Sequence, residues 1–298
     1  MYNSTSKGIT LLGATGFLGS AIANELDRLE IPWIGISIEP SNRKNIVTVE
    51  PTDQDTLVSI INEYPTVINA AGSLKPKDFE ENTKDSLEKF WKTVEHFTQV
   101  FERSNIRKLV HLSSAGTVYG DSESAILHPE ESILKPISWY GKAKMFEEIH
   151  YGHCSNVLDY DYLCLRITNP YGNKEKTQHG FVDVLIKSVI EGSDFNYYFD
   201  CDPCRDFIYA PDMSEIILKL VTENKTGTYN VGSGEILHLS EIVNYVTSKH
   251  PSTLIKRELK RPSYDVINSC VSIDKIRSNN FHKNSLSVFD YIDGRLNK

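Results

Sequence analysis

Lys7-Gly8-Ile9-Thr10-Leu11-Leu12-Gly13-Ala14-Thr15-Gly16-Phe17-Leu18-Gly19 decides how the rest of the chain is read. A short apolar strand, Lys7 to Leu12, runs into a glycine turn, and a helix opens at Phe17 with Ile22, Leu26 and Leu29 on one stripe. Gly13 and Gly16 lack a Cβ, which permits a tight turn and close approach of backbone to a phosphate. The helix that follows offers unpaired N–H groups and a partial positive charge at its first turn. Together these features are the pyrophosphate seat of a nicotinamide dinucleotide, built from Gly13, Thr15, Gly16, Phe17, Leu18 and Gly19. The spacing is Gly-x-x-Gly-x-x-Gly, with one more residue between the first two glycines than in many dinucleotide folds.

Outward from the turn, strands and helices alternate. Trp33 to Ile38 and Asn45 to Val49 read as strands, Asp53 to Tyr64 as a helix, and Thr66 to Asn69 as a strand. Asn82 to Arg103 is a long helix, Arg107 to Ser113 a strand, Trp139 to Tyr151 a helix and Tyr162 to Ile167 a strand. This alternation predicts an α/β fold with a Rossmann-type, doubly wound parallel sheet. After about residue 170 the elements shorten: helices at Phe181 to Glu191, Met213 to Val221 and Ser240 to Lys249, with short strands at Asp206 to Tyr209 and Tyr229 to Val231. The expected organisation is an NAD(P)-binding domain over 1–170 and a smaller α/β substrate-binding lobe over 171–298, interleaved with the first.

The second strand ends Ile36-Ser37-Ile38-Glu39, where an NAD enzyme usually carries an acid for the ribose hydroxyl. Ser37 or Ile38 stands at that position. Arg43 and Lys44 follow and suit a 2′-phosphate, whereas Glu39 suits an NAD ribose. The cofactor is therefore NAD or NADP, and the reading leans slightly to NADP.

The 298 residues carry 32 basic and 40 acidic side chains, a net charge of −8, and are 40% hydrophobic and 24% charged. That balance speaks against a nucleic-acid surface or an anionic-membrane surface. No apolar run is long enough to span a bilayer. Met1 to Lys7 is polar, unlike a secretory signal, so a cytoplasmic location is expected. Five cysteines at irregular spacing suggest no disulfide framework. Cys201-x-x-Cys204 stands without a second ligand pair, so no metal site is expected.

Tyr140-x-x-x-Lys144 lies on a helix that follows the strand ending in Ser113-Ser114, and the i, i+4 spacing puts both side chains on one face. A tyrosine, with an ordinary pKa of about 10, is a poor base at neutral pH. A nearby ammonium stabilises the phenolate, so that the pair can exchange a proton with a carbinol or ketone as hydride moves.

With these residues in place, the chain resembles the extended short-chain dehydrogenase/reductases of the NAD-dependent epimerase/dehydratase family, similar to UDP-galactose 4-epimerases. The resemblance rests on motifs in family order. They are the glycine turn, Asn69-Ala70-Ala71-Gly72, Ser113 to Gly120, the Tyr140 and Lys144 pair, Arg166 to Gly172, Arg205-Asp206-Phe207-Ile208-Tyr209, Asn230 to Gly234, and Arg261-Pro262. It implies that Tyr140 is the acid/base and that Lys144 holds the nicotinamide ribose and tunes Tyr140. It implies that Ala70, Ala71, Gly72 and Pro170 line the cofactor, with Glu50 near the adenine where the family usually has Asp. Asn169 is implied to contact the sugar nucleotide, and Arg205 and Arg261 to clamp its diphosphate.

The catalytic Ser or Thr of the family stands three residues before the Val of Val-Tyr-Gly, and here that residue is Ala115. Ser114 or Thr117 is the replacement, Ser114 being preferred. The expected activity is nucleotide-sugar 4-epimerisation, on a UDP-sugar by the resemblance. The alternatives are an NADPH-dependent reductase of a nucleotide 4-keto sugar and a non-catalytic cofactor-binding regulator. A dehydratase fits less well, because Gly116 and Thr117 occupy the positions of that chemistry's Asp-Glu pair. A homodimer is expected through Asn82 to Arg103 and Trp139 to Tyr151.

Overall fold

Ile9, Leu11 and Leu12 are fully or almost fully buried, and so is the intervening Thr10. A strand buried on both faces belongs in the middle of a covered parallel sheet. The computed structural model describes residues 8–72, 74–122, 127–173, 180–198, 201–253, 255–258, 262–281 and 286–297.

The first half of the chain runs β1 (Ile9–Leu12), α1 (Phe17–Arg28), β2 (Trp33–Ser37), β3 (Ile46–Thr48), α2 (Gln54–Glu63) and β4 (Thr66–Asn69). It continues through α3 (Pro76–Glu81), α4 (Thr83–Arg103), β5 (Lys108–Ser114), α5 (Ala115–Val118), α6 (Trp139–Leu158), β6 (Asp161–Ile167) and β7 (Asn169–Tyr171). The second half adds α7 (Gly180–Glu191), β8 (Phe195–Tyr198), β9 (Cys204–Tyr209), α8 (Ala210–Thr222), β10 (Gly227–Val231), β11 (Ile236–His238) and α9 (Leu239–Lys249). It ends with β12 (Ile255–Glu258), β13 (Asn268–Ser269), α10 (Asp274–Ser278) and α11 (Val288–Leu296).

The central sheet has seven strands in the order β10-β6-β5-β4-β1-β2-β3. Its pairings are all parallel. Alternate residues divide between its faces. Ile9, Leu11, Ile68 and Val110 pack with Ile22 and Leu26 of α1 and Met213, Ile217 and Val221 of α8. Leu12, Val67 and Leu109 pack with Leu57 and Ile61 of α2, Val100 and Phe101 of α4, and Tyr151 and Cys154 of α6. Each such aliphatic side chain contributes roughly 2 kcal/mol of transfer free energy. The sheet therefore recruits α8 and β10 from the second half of the chain. A smaller sheet, β11-β9-β13 with β7 also paired to β9, and the β8–β12 pair form the lobe. Its separate core includes Tyr171, Leu185, Phe207, Ile242 and Tyr291.

The strand order reverses between β1 and β4: β2 and β3 lie on one side, β5 and β6 on the other. In open α/β sheets that reversal opens a crevice at the carboxyl ends of the strands. The glycine turn ends β1, Asn69 ends β4 and Ser114 ends β5, so the motifs gather there.

Local departures from the sequence reading have physical causes. α6 runs two turns past Tyr151 and passes through Gly152, whose Cβ position lies at ordinary contact distance, 3.5 Å, from the Tyr162 ring. Tyr151 and Cys154 bury beside it, and Asp159 closes the helix in the left-handed region at φ 57°. α3 begins with Pro76 at its first turn, and the Asp78 carboxylate accepts the Lys75 N–H at 2.7 Å. The lobe strands β7, β8 and β11 to β13 are too short to show a period. No helix among the described residues is long and apolar enough to cross a membrane.

Candidate active site

Gly13 takes φ +72°, and its N–H and that of Ala14 both donate to the Ile36 carbonyl of β2, at 3.0 and 3.1 Å. A Cβ on Gly13 would meet the Ala70 carbonyl at 2.6 Å, and one on Gly19 would meet the Gly13 carbonyl at 2.1 Å. These two glycines are needed for packing the turn against the Asn69–Gly72 loop and against itself. Gly16 differs: it is exposed, and a Cβ there would meet only the Gly13 carbonyl, at 3.3 Å. Gly16 also caps α1 without a side-chain hydrogen bond, and the first turn of α1 has no acidic residue. A bare, acid-free helix N-terminus fits a phosphate. Phe17 and Leu18 pack against the core beneath the turn. The Asn173 amide ties the lobe to this turn, donating to the Phe17 carbonyl at 2.6 Å and the Ser20 hydroxyl at 2.8 Å.

At the end of β2, Ser37 is buried, its hydroxyl 2.8 Å from that of Thr15, and it accepts the Glu39 N–H at 3.0 Å. Arg43 reaches back to α1, to the Asn24 side chain and to Asp27 at 3.4 Å. Glu50 is exposed just beyond β3. Asn69 accepts the Ala71 N–H at 3.1 Å, which shapes the loop through Ala70, Ala71 and Gly72.

Tyr140 and Lys144 stand one turn apart at the start of α6. The Ser138 hydroxyl caps this helix by accepting the Gly141 N–H at 3.0 Å. Tyr140 is half-buried, edge-on to Phe79 of α3 at 6.0 Å. The Lys144 ammonium lies 2.7 Å from the Glu147 carboxylate and 3.5 Å from the Leu112 carbonyl of β5. Burial opposes its charge, but Glu147 and the Tyr140 phenol outweigh burial and hold its pKa above the ordinary lysine value.

Ala115 is buried. Thr117 directs its hydroxyl to the Ser114 carbonyl at 3.4 Å. Ser114 is half-buried and leaves α5 without a side-chain cap. Around the Cβ position of Gly116 lie the Ser114 hydroxyl at 3.9 Å, the Asn169 amide oxygen at 3.8 Å and the Ser269 hydroxyl at 3.5 Å. The Ser269 hydroxyl is buried with no partner among the described residues. Such a group normally finds one. Gly116 thus leaves space where three polar atoms converge.

A match between residues 9–232 and the model of the NAD dependent epimerase/dehydratase family decides the kinship. The chain belongs to that family. Among its relatives in this enzyme family, dTDP-4-dehydro-6-deoxyglucose reductase of Escherichia coli is 25% identical over 265 residues, 83% of each chain. UDP-glucose 4-epimerase of Mycolicibacterium smegmatis is 25% identical over 243 residues, 74% of this chain and 76% of the relative. The crystal structure of Thermus thermophilus UDP-glucose 4-epimerase in complex with NAD superposes with a TM-score of 0.85 at 20% identity, covering 97% of this chain and 98% of the other.

The remaining motifs of this epimerase/dehydratase chain divide between the crevice and its scaffold. Asn169 donates to the Asp206 carbonyl at 2.9 Å, which aims its amide oxygen at Gly116, and Pro170 follows it half-buried in β7. Arg205 differs from the clamp that the resemblance implies. Both of its terminal nitrogens are engaged within the fold, by the carbonyls of Cys204 at 2.9 Å, Ile267 at 2.7 Å and Val266, and by Asp265 at 3.1 Å. It holds the segment leading into β13, which carries Ser269 opposite it in register. Arg261 lies outside the described residues. Asp206 is buried and pins Ser233 and Gly234 through their N–H groups, each at 2.9 Å. Burial raises its pKa against these hydrogen bonds. Cys204 faces Cys270 at 3.5 Å. No group of three or more His, Cys, Asp or Glu among the described residues is placed to hold a metal ion. Sequence reasoning missed Ser269 and Asn173, whose partners are remote in the chain, and Glu147, which reads as an ordinary surface residue of a helix.

Proposed function

We propose that this chain is a nucleotide-sugar 4-epimerase with a nicotinamide dinucleotide as cofactor, and that the sugar is carried on UDP. The observation that supports this reading is that Lys144, one turn from Tyr140 on α6, reaches the Leu112 carbonyl near the end of β5, in the sheet whose β1 ends in the glycine turn. Gly13, Thr15, Gly16, Phe17, Leu18 and Gly19 would hold the pyrophosphate, and Ala70, Ala71, Gly72 and Pro170 the remainder, with Ser37 and Glu50 at the adenosine end. The bound nicotinamide supplies hydride acceptance and return at the sugar carbon. Tyr140 takes the proton of the sugar 4-hydroxyl and later gives it back, and Lys144 stabilises the intervening phenolate. Ser114 hydrogen-bonds the same oxygen, and Asn169 orients the substrate. Arg43 is paired with Asp27 and Asn24, which supports NAD over NADP.

Incubation of the purified protein with NAD and UDP-glucose tests the reading: UDP-galactose forms with no net change in nicotinamide absorbance. Net consumption of NADPH on a nucleotide 4-keto sugar establishes instead the reductase, which the Escherichia coli relative favours by its name. Inertness in both assays leaves the regulator. Ser114→Ala is expected to lower kcat by roughly 10²-fold, the scale of a lost donor to a reacting oxygen, and Thr117→Ala by less than about threefold. Equal losses in steady-state assays would contradict the choice of Ser114.

The glycines give a test independent of turnover. Gly16→Val is expected to weaken NAD binding by about tenfold or more with a smaller change in melting temperature than Gly19→Ala, because its Cβ meets only the Gly13 carbonyl, at 3.3 Å. Gly19→Ala drives a Cβ into the Gly13 carbonyl, and is expected to destabilise the fold by about 1–3 kcal/mol. Calorimetric titration and thermal melts separate the two.

The same reading includes a homodimer through α4 and α6. Trp91, Ile149 and Val157 are exposed along these helices, and an apolar stripe of that kind suits a second copy of the chain.

A further inference from the structure

We propose that Glu147 is a positioning residue for proton transfer, a buried counter-ion that sets how much of the Lys144 charge reaches Tyr140. The inference rests on the reading of Tyr140 as the acid/base group and goes one residue deeper into the helix. Lys144 and Glu147 retain only 16% and 12% side-chain exposure, and their charged atoms are 2.7 Å apart. A pair so shielded from water interacts more strongly than an exposed i, i+3 pair.

The far side of Glu147 is closed by His111 of β5. Its Nε2 lies 3.7 Å from the same carboxylate oxygen, beyond hydrogen-bond reach. Both ring nitrogens are buried without a hydrogen-bond partner among the described residues. Burial, and then the Lys144 charge, push the His111 pKa well below its ordinary value, so the imidazole stays neutral. Among the described residues Glu147 therefore has one cation in reach, Lys144. The other groups facing this corner do not compete for it. α6 presents Tyr140 and Tyr151, the latter pushed up by burial and then by Glu147. β6 presents Cys164, also pushed up by burial, and Arg166, which is paired with Glu148. α3 and α4 present the apolar Phe79, Phe90 and Val94, and α5 the Thr117 carbonyl beside Gly141.

Lys144 has three N–H donors. Glu147 takes one and the Leu112 carbonyl lies along another, which fixes the direction of the third. The carboxylate also cancels part of the field at Tyr140. A Lys144 without Glu147 would stabilise the phenolate more strongly and make Tyr140 a weaker base with a lower pKa.

The test needs no substrate. Tyrosinate absorbance of Tyr140 is isolated by subtracting a pH titration of Tyr140→Phe from that of the parent, with Glu147 and with Glu147→Gln, in the presence and absence of NAD. Loss of the carboxylate is expected to move the Tyr140 titration down by roughly one pH unit, and Glu147→Asp to return it most of the way. The acid limb of the turnover profile moves in the same direction wherever a substrate is found. A folded Glu147→Gln protein that titrates Tyr140 where the parent does overturns the proposal. Glu147→Met serves in the same way if the glutamine variant does not fold. A lower melting temperature with an unmoved titration reduces Glu147 to a structural ion pair. Absence of epimerase activity sinks the function proposed above and leaves this titration readable.

Discussion

On the function proposed above, replacing Tyr140 by phenylalanine is expected to lower kcat by about 10²- to 10⁴-fold, the range of a lost general acid/base, while the melting temperature stays within about 2 °C. The two outcomes separate because of how Tyr140 sits. Its ring is half-buried, edge-on to Phe79 and packed with the Phe79, Phe90, Val94 and Ala143 cluster, and phenylalanine keeps all of that contact. Only the phenolic oxygen is lost. Lys144 keeps Glu147 and the Leu112 carbonyl, so α6 retains its seat on β5. KM for the nucleotide sugar is expected to change little, since the hydroxyl contributes to the transition state more than to ground-state binding. Steady-state kinetics beside a thermal melt check this. Turnover within tenfold of the parent would remove Tyr140 from the chemistry and move the search to other proton carriers at the crevice.

The parts of this site that were legible in the sequence are those whose chemistry is written within a few residues. Gly13, Gly16 and Gly19 announce a turn between a strand and a helix, and Tyr140 with Lys144 announces one helical face, because backbone geometry alone sets those distances. The parallel, doubly wound sheet followed from alternation, since a parallel strand needs a crossover element. What was not legible depends on residues far apart. Arg205 reads as a free guanidinium until β13 arrives from sixty residues downstream to take its donors. Ser269 has no local pattern, and becomes notable only because Gly116 and Asn169 lie across from its buried hydroxyl. Arg43 reads as a phosphate ligand, yet Asp27 and Asn24, on the helix before it, engage it first. Ala115 was legible as a departure. The space that makes the departure tolerable was not, because it is formed by β5, β7 and β13 together.

Removing the Glu148 carboxylate by Glu148→Ala is expected to destabilise the folded chain by about 3–5 kcal/mol, the scale of an uncompensated buried charge. Glu148 and Arg166 expose only 7% and 8% of their side chains, and the guanidinium meets the carboxylate through Nε at 3.1 Å and Nη2 at 2.8 Å. Ser113 of β5 donates to the same carboxylate. Burial works against the Arg166 charge, and Glu148 more than offsets it, so the arginine stays ionised. Its remaining terminal nitrogen donates to the Tyr119 hydroxyl at 2.7 Å and the Glu130 carbonyl at 2.9 Å. Burial pushes the Tyr119 pKa up to about 12, so the phenol stays protonated and donates onward to Asn230 at 2.7 Å. One carboxylate thus joins α6 to β5 and β6, and through Arg166 and Tyr119 to β10. Alanine leaves the buried guanidinium charged without its anion. Urea denaturation reads the loss as a lower midpoint at unchanged slope. The decisive comparison is Glu148→Leu combined with Arg166→Met, which removes both charges and keeps most of the volume. It is expected to cost less than either single change. If instead the losses simply add, the pair is not a coupled charge, and α6 is held by its apolar contacts on the sheet.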